Sequence, residues 1–263
     1  MSEKIIVFDS GTLISLAMNG LLPELKALSG IFNGKFIITQ EVKREIIDRP
    51  LNIKKFELDA LKLKELLDER VLEIPEAIGI KSSEISREAQ NIMKYVNSMF
   101  YARGMAINLI QNGEASCLAL NKILLAKGFK SAIAVDERTT RLLGEKPENL
   151  KNLMESKLHM NIQVKTKPLR EFDRFVFLRS TELMYVAYKK GILKIKDKNI
   201  MIAKVGKAAN QPLVNTALLQ CFMSVYNILL RRLRCFTAEA FSSYIFLYKF
   251  TYAHGRYTNN KIF

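Results

Sequence analysis

Histidine is scarce in this sequence and cysteine is never closely paired. There are two histidines, and the three cysteines, Cys117, Cys221 and Cys235, show no paired spacing. This excludes a disulfide framework and argues against a Cys/His zinc site. It suits a reducing, cytoplasmic setting. Met1 to Lys4 is polar and leads straight into a strand-like stretch, so no secretory signal is expected. No glycine-rich loop ends in Lys-Ser or Lys-Thr, which removes the usual nucleotide cradle. Asp9-Ser10-Gly11 lacks the second aspartate two residues on that haloacid-dehalogenase-type phosphatases carry.

Acidic residues are scarce in one part of the chain. Residues 1–150 hold 21 basic and 20 acidic residues, whereas residues 151–263 hold 20 basic and 6 acidic. The excess of +15 therefore resides almost wholly in the second part. Such asymmetry points to an acidic partner, with nucleic acid ahead of an anionic membrane surface. The plain alternative is a basic solubilising surface. The chain is long enough for one large domain, or a domain with an appendage.

Ile5 to Phe8 is a β-branched run that ends in Asp9-Ser10-Gly11 and gives way to a helical pattern. Lys35 to Thr39 is a second strand, followed at once by a helix with Val42, Ile46 and Ile47 on one face. Residues 53–68 and 83–101 read as helices, with a small strand at Val71 to Ile74 between them. Asn112-Gly113 introduces a helix from Glu114 to Ala126. Ala132 to Val135 is a third clear strand that ends in Asp136, and a helix begins at Thr139. A fourth strand at Ile162 to Val164 and a helix over 180–190 complete the pattern. Strands alternating with helices predict a Rossmann-like three-layer α/β/α domain with a parallel sheet over residues 1–195.

Residues 196–263 differ in character and form a basic, aromatic-rich extension, expected to be helical. Residues 201–263 contain one acid, Glu239, and 11 of the 24 aromatics. Leu213 to Leu230 carries no charge, a length within the range of a membrane span. Asn215, Thr216, Gln220, Ser224 and Asn227 interrupt it, which favours a buried or partner-binding helix.

In a parallel sheet the carboxyl ends of the strands form the functional edge. Asp9 and Asp136 each follow a strand and should project there. Glu45 lies one to two turns into the helix leaving the second strand, and Glu114 lies in the first turn of its own helix. Oxygen ligands without thiolate or imidazole suit Mg²⁺ or Mn²⁺. A pair of such ions roughly 3.5–4 Å apart could activate water and stabilise a leaving oxygen in phosphodiester hydrolysis. Ser10 and Thr12 could support the Asp9 carboxylate or water at the metal. Each acid also has a simpler use. Asp9 and Asp136 could cap the helices that follow them, and Glu114 could be held by its helix dipole. Glu45 could be a solvated charge, with Glu41 and Asp48 sharing roughly its face.

The combination resembles the PIN domain family. Ile5-Ile6-Val7-Phe8-Asp9-Ser10-Gly11-Thr12-Leu13-Ile14 looks like its opening segment. Ile37-Ile38-Thr39-Gln40-Glu41-Val42-Lys43-Arg44-Glu45-Ile46 resembles the second, with the family's acid on Glu45. Asn112-Gly113-Glu114-Ala115-Ser116-Cys117-Leu118-Ala119-Leu120 resembles the third, and Ala134-Val135-Asp136-Glu137-Arg138-Thr139-Thr140-Arg141 the fourth. The likeness spans about residues 4–165. It implies a Mg²⁺- or Mn²⁺-dependent ribonuclease, with Asp9, Glu45, Glu114 and Asp136 as metal ligands and catalytic residues. Many small members are toxins neutralised by an antitoxin peptide, so an antitoxin-like protein partner belongs to the same implication; a second copy of the chain, as a homodimer, is a further candidate partner. The long helical stretch between Leu51 and Gln111, the continuation past the usual end and the segment Phe177 to Leu193 are closer to longer archaeal-type members.

RNA is thus the expected partner, held by Lys and Arg of residues 151–200 and by the basic tail through phosphate contacts and stacking. The alternative is a non-catalytic PIN-like protein that binds RNA or another partner. A third reading has residues 213–253 as a docking surface for a membrane or an assembly.

Overall fold

A computed structural model describes residues 3–166 and 170–193; the extension from 196 onward lies outside the described residues. The chain opens with β1 (Lys4–Phe8), α1 (Ser10–Met18) and α2 (Leu22–Ile31). Next come β2 (Gly34–Ile37), α3 (Gln40–Lys43) and, without a break, a π-helical turn over Arg44–Asp48. Helices α4 (Glu57–Asp68) and α5 (Ser82–Val96) lead to a hairpin of β3 (Phe100–Ala102) and β4 (Met105–Ala106). Then follow α6 (Asn112–Ala126), β5 (Lys130–Ala134), α7 (Arg138–Glu145) and α8 (Leu150–Leu158). The last elements are β6 (Gln163–Val164), β7 (Phe177–Leu178) and α9 (Ser180–Lys189).

The main sheet has four parallel strands in the order β2-β1-β5-β7. Ile5, Ile6, Val7 and Phe8 are all buried, so both faces of β1 are covered. That is why the segment is continuously apolar rather than alternating. Helices α1, α2, α4 and α9 pack among themselves, and α6 packs against α3, α5 and β1. The result is a parallel sheet flanked by helices, a three-layer α/β/α arrangement.

Several boundaries differ from the sequence reading. The helix expected over 83–101 ends at Val96, and Phe100 starts a strand instead. The residues near 163 do form a strand, but in a separate three-stranded antiparallel sheet of order β4-β3-β6. The fourth strand of the main sheet is Phe177–Leu178, whose two residues are too few to show any periodicity. The expected strand near 71–74 is reduced to a bridge between Ile37 and Glu73. No helix among the described residues is long and apolar enough to cross a membrane, and Leu213 to Leu230 lies outside them.

Candidate active site

Strand register fixes where two of the acids start. Phe8 pairs with Ala134, and the Asp9 N–H donates to the Ala134 carbonyl at 2.9 Å. Asp9 and Asp136 therefore leave adjacent strands at the same edge, within one residue of each other in register.

Asp9 caps α1. Its Oδ2 accepts the Gly11 N–H at 3.1 Å, while its Oδ1 is buried with no hydrogen-bond partner. The residue is 4% exposed. Burial, the charge of Glu114 and, less strongly, that of Glu45 raise its pKa from an ordinary 3.8 to about 7, against the lowering effect of the Gly11 and Ser10 N–H groups. A buried carboxylate that lacks a partner on one oxygen and faces like charges is an expensive arrangement.

Glu114 stands at the start of α6 in a reciprocal cap: its Oε2 accepts the Gln111 N–H at 2.6 Å. Burial raises its pKa, and the charges of Glu137 and Glu45 push the same way. The Cys117 thiol, one turn on, donates to the Phe8 carbonyl at 3.5 Å. Burial raises its pKa too, followed by Asp9, Glu45 and Glu114 in that order. Asp9, Glu45 and Glu114 thus converge electrostatically on one place.

Glu45 reaches that place through two local features. The π-helical turn re-aims the side chains after α3, and such turns are common at functional sites. Gly113 provides the room, since a Cβ there would stand 2.7 Å from Glu45 Oε2. Thr39 caps α3 and shares a 2.6 Å hydrogen bond with Ser116, whose hydroxyl also lies 2.6 Å from the Gly113 carbonyl. These bonds join the second and third acidic segments. Glu41 is engaged elsewhere, with Arg44 at 2.9 Å.

Asp136 behaves differently. Its Oδ1 accepts the Ser180 N–H at 2.8 Å, so it caps α9 and not the helix that follows it. Beside it, Arg141 pairs with Glu145 at 3.5 Å and feels the charges of Arg179, Glu182 and Asp136. The cap of α7 is Glu137, which accepts the Thr139 N–H at 3.2 Å and hydroxyl at 2.8 Å. Burial opposes ionisation of Glu137, but Thr139 and the Lys157 ammonium at 3.2 Å outweigh it and lower its pKa. Sequence reasoning missed Glu137; its signal was a second acid at the same strand end. Ser10 begins α1, the buried Thr12 hydroxyl has no hydrogen-bond partner, and the buried Thr140 hydroxyl faces Glu114 and favours its charged form.

Among the described residues, no three His, Cys, Asp or Glu side chains are arranged to enclose a metal ion as they stand. The donor set nonetheless fits a hard cation. It offers carboxylate oxygens only, one of them buried and unpartnered, and a local excess of negative charge. A depression of about 230 Å³ between α5 and α6 lies about two turns along α6 from Glu114. Its Lys122 bridges Glu88 and Glu171, and the acidic edge takes no part in it. No family model, no curated protein and no solved structure matches this chain.

Proposed function

We propose that this chain is a PIN-like, metal-dependent endoribonuclease that hydrolyses RNA phosphodiester bonds at the carboxyl edge of its parallel sheet. The observation that supports this most directly is Asp9: buried, protonated more readily than an ordinary carboxyl, unpartnered on Oδ1 and crowded by Glu114 and Glu45. A fold that keeps three like charges together gains when a cation joins them.

Mg²⁺ or Mn²⁺ held by Asp9, Glu45 and Glu114 would supply Lewis-acid polarisation of the phosphoryl group and lower the pKa of water. Asp136 would assist through the oxygen that does not cap α9. Asp9 is held in orientation by the Gly11 N–H, Glu114 by the Gln111 N–H, and Glu45 by the π-helical turn beside Gly113. Lys157 offsets the charge of Glu137, so the negative field is concentrated on the three convergent acids. Asp9 is buried while Glu45, Glu114 and Asp136 are half-buried, so the cluster opens to solvent on the side of the latter three.

The test is Mn²⁺-dependent cleavage of single-stranded RNA by the full chain. Activity that survives chelation, or survives in Asp9→Asn, would overturn the proposal. A second reading, a PIN-like protein that binds RNA or a partner without cleaving, is favoured by the absence of an enclosing three-ligand cluster among the described residues. It predicts salt-sensitive RNA binding with no cleavage at any metal concentration.

A further inference from the structure

The small antiparallel sheet supplies none of the acids, yet the segments that flank it lead to them. On one side, Asn97 at the end of α5 clamps the segment that leaves the hairpin. Its Oδ1 accepts the Leu109 and Ile110 N–H groups at 2.7 and 3.1 Å, and its Nδ2 donates to the Ile110 carbonyl at 3.0 Å. The next residue is Gln111, whose N–H holds Glu114. On the other side, β6 follows α8, whose Lys157 is paired with Glu137. The chain leaving the hairpin is thereby tied to the residues that hold Glu114.

Its two faces differ. Phe100, Ala102, Met105 and Val164 share one face, with Phe100 buried. Tyr101, Ala106 and Gln163 share the other, and the ladder continues through the Lys165 N–H to the Met99 carbonyl at 2.8 Å. The Lys165 ammonium lies over the Tyr101 ring, 3.7 Å from its centre. Arg103 is exposed at the hairpin tip with φ of 49°. Neither segment that builds the sheet, 97–113 or 159–166, contains an acidic residue. A half-buried aromatic ring and two exposed cations thus share this sheet, whose nearest recorded acid, Glu155, accepts the Ile162 N–H just before β6 at 3.2 Å.

We infer that the Tyr101 face of this sheet is a docking platform for single-stranded RNA, which it presents to the acidic edge. A base would take the ring face that Lys165 now covers and release that ammonium to the adjoining phosphate, while Arg103 neutralises another. Stacking on one aromatic with backbone neutralisation is the usual chemistry of single-strand binding. A duplex, whose bases are already stacked, could use the cations but not the ring. The inference rests on the proposal that RNA is the substrate and names its class.

The two readings fail separately because binding can be measured without metal. The full-length Asp9→Asn chain is titrated, in chelator, into a fluorescein-labelled 12-nucleotide single-stranded RNA and the corresponding duplex. Single strand should bind more tightly than duplex. Adding Tyr101→Ala should weaken single-strand binding roughly tenfold, with Tyr101→Phe close to the parent. Adding Lys165→Ala should lower the slope of affinity against salt by about one charge. An RNA carrying 4-thiouridine should crosslink to Tyr101. Unchanged single-strand binding in both Tyr101→Ala and Lys165→Ala, equal preference for duplex, or no RNA binding at all would overturn the inference. Loss of metal-dependent cleavage with intact Tyr101-dependent binding would sink only the nuclease reading.

Discussion

Asp9 and Asp136 leave adjacent parallel strands at the same edge, yet their surroundings are opposite. Asp9 feels the charges of two glutamates and leaves one oxygen unpartnered; Asp136 accepts an N–H at the start of α9 and its charge favours that of Arg141. The Asp9 carboxylate destabilises the fold as it ionises, whereas the Asp136 carboxylate ties the end of one strand to the start of a helix. The contrast separates a position kept for chemistry from one that also secures the architecture, and strand-end placement alone does not distinguish them. Stability bought back by a bound cation at one site, and built in at the other, is a difference that mutants can measure.

The largest expected effect is at Asp9. Asp9→Asn should reduce Mn²⁺-dependent cleavage roughly a hundredfold or more. The same change should make the metal-free protein more stable at pH 8. The sign follows from the raised pKa. Between 3.8 and about 7 the unfolded chain ionises Asp9 while the folded chain keeps it protonated, so stability falls as pH rises through that window. The contribution is full below pH 3.8 and lost above about 7, a difference on the order of 4 kcal/mol. Thermal melts in chelator at pH 5 and pH 8 should show the mutant gaining more at pH 8 than at pH 5. Mn²⁺ should raise the melting temperature of the parent at pH 8, and far less that of the mutant. A mutant less stable than the parent at pH 8 would remove the argument.

Asp136→Asn tests the other half. It weakens a charge-assisted bond to the Ser180 N–H and removes a charge from the α9 N-terminus, for a loss of about 1 kcal/mol. Hydrogen exchange should show early opening of α9. If Asp136→Asn instead stabilised the metal-free protein as Asp9→Asn does, the contrast between the two aspartates would collapse.

Much of this was legible in the sequence, and the failures have physical reasons. Ile5 to Phe8 and Ala132 to Val135 are runs of apolar residues that end in an acid, so the strands and the edge were readable. What each carboxylate would meet was not. The partner of Asp136 is an N–H 44 residues away, on a helix delivered by a two-residue strand. The hairpin was hidden because Met99 and Phe100 are as apolar as a helix face requires. Glu45 and Glu41 could not be separated by spacing, because a π-helical turn shifts the face and ordinary helical geometry does not anticipate it. The proximity of Glu137 to Glu114 is likewise a product of packing between α6 and the end of β5.

Smaller effects sharpen the assignment within the acidic cluster. Gly113→Ala places a methyl group 2.7 Å from Glu45 Oε2, so that side chain must move. Removing a helical glycine gains back roughly 0.5–1 kcal/mol of propensity. Activity should therefore fall several-fold while the melting temperature changes little.

The smallest effect expected is that of Glu41→Gln, and it matters because Glu41 is the rival of Glu45. Its carboxylate pairs with Arg44, whose side chain is 52% exposed, and exposed pairs of this kind contribute about 0–1 kcal/mol. Glu41→Gln should leave both cleavage and the melting temperature near the parent's. Glu45→Gln removes one of the charges that oppose ionisation of Asp9, so it should raise the metal-free stability at pH 8 while cleavage drops. Paired rate and melting measurements on the two variants read this directly. Equal loss of activity in both would mean that the π-helical turn does not select Glu45, and the separation of the two glutamates would fail with it.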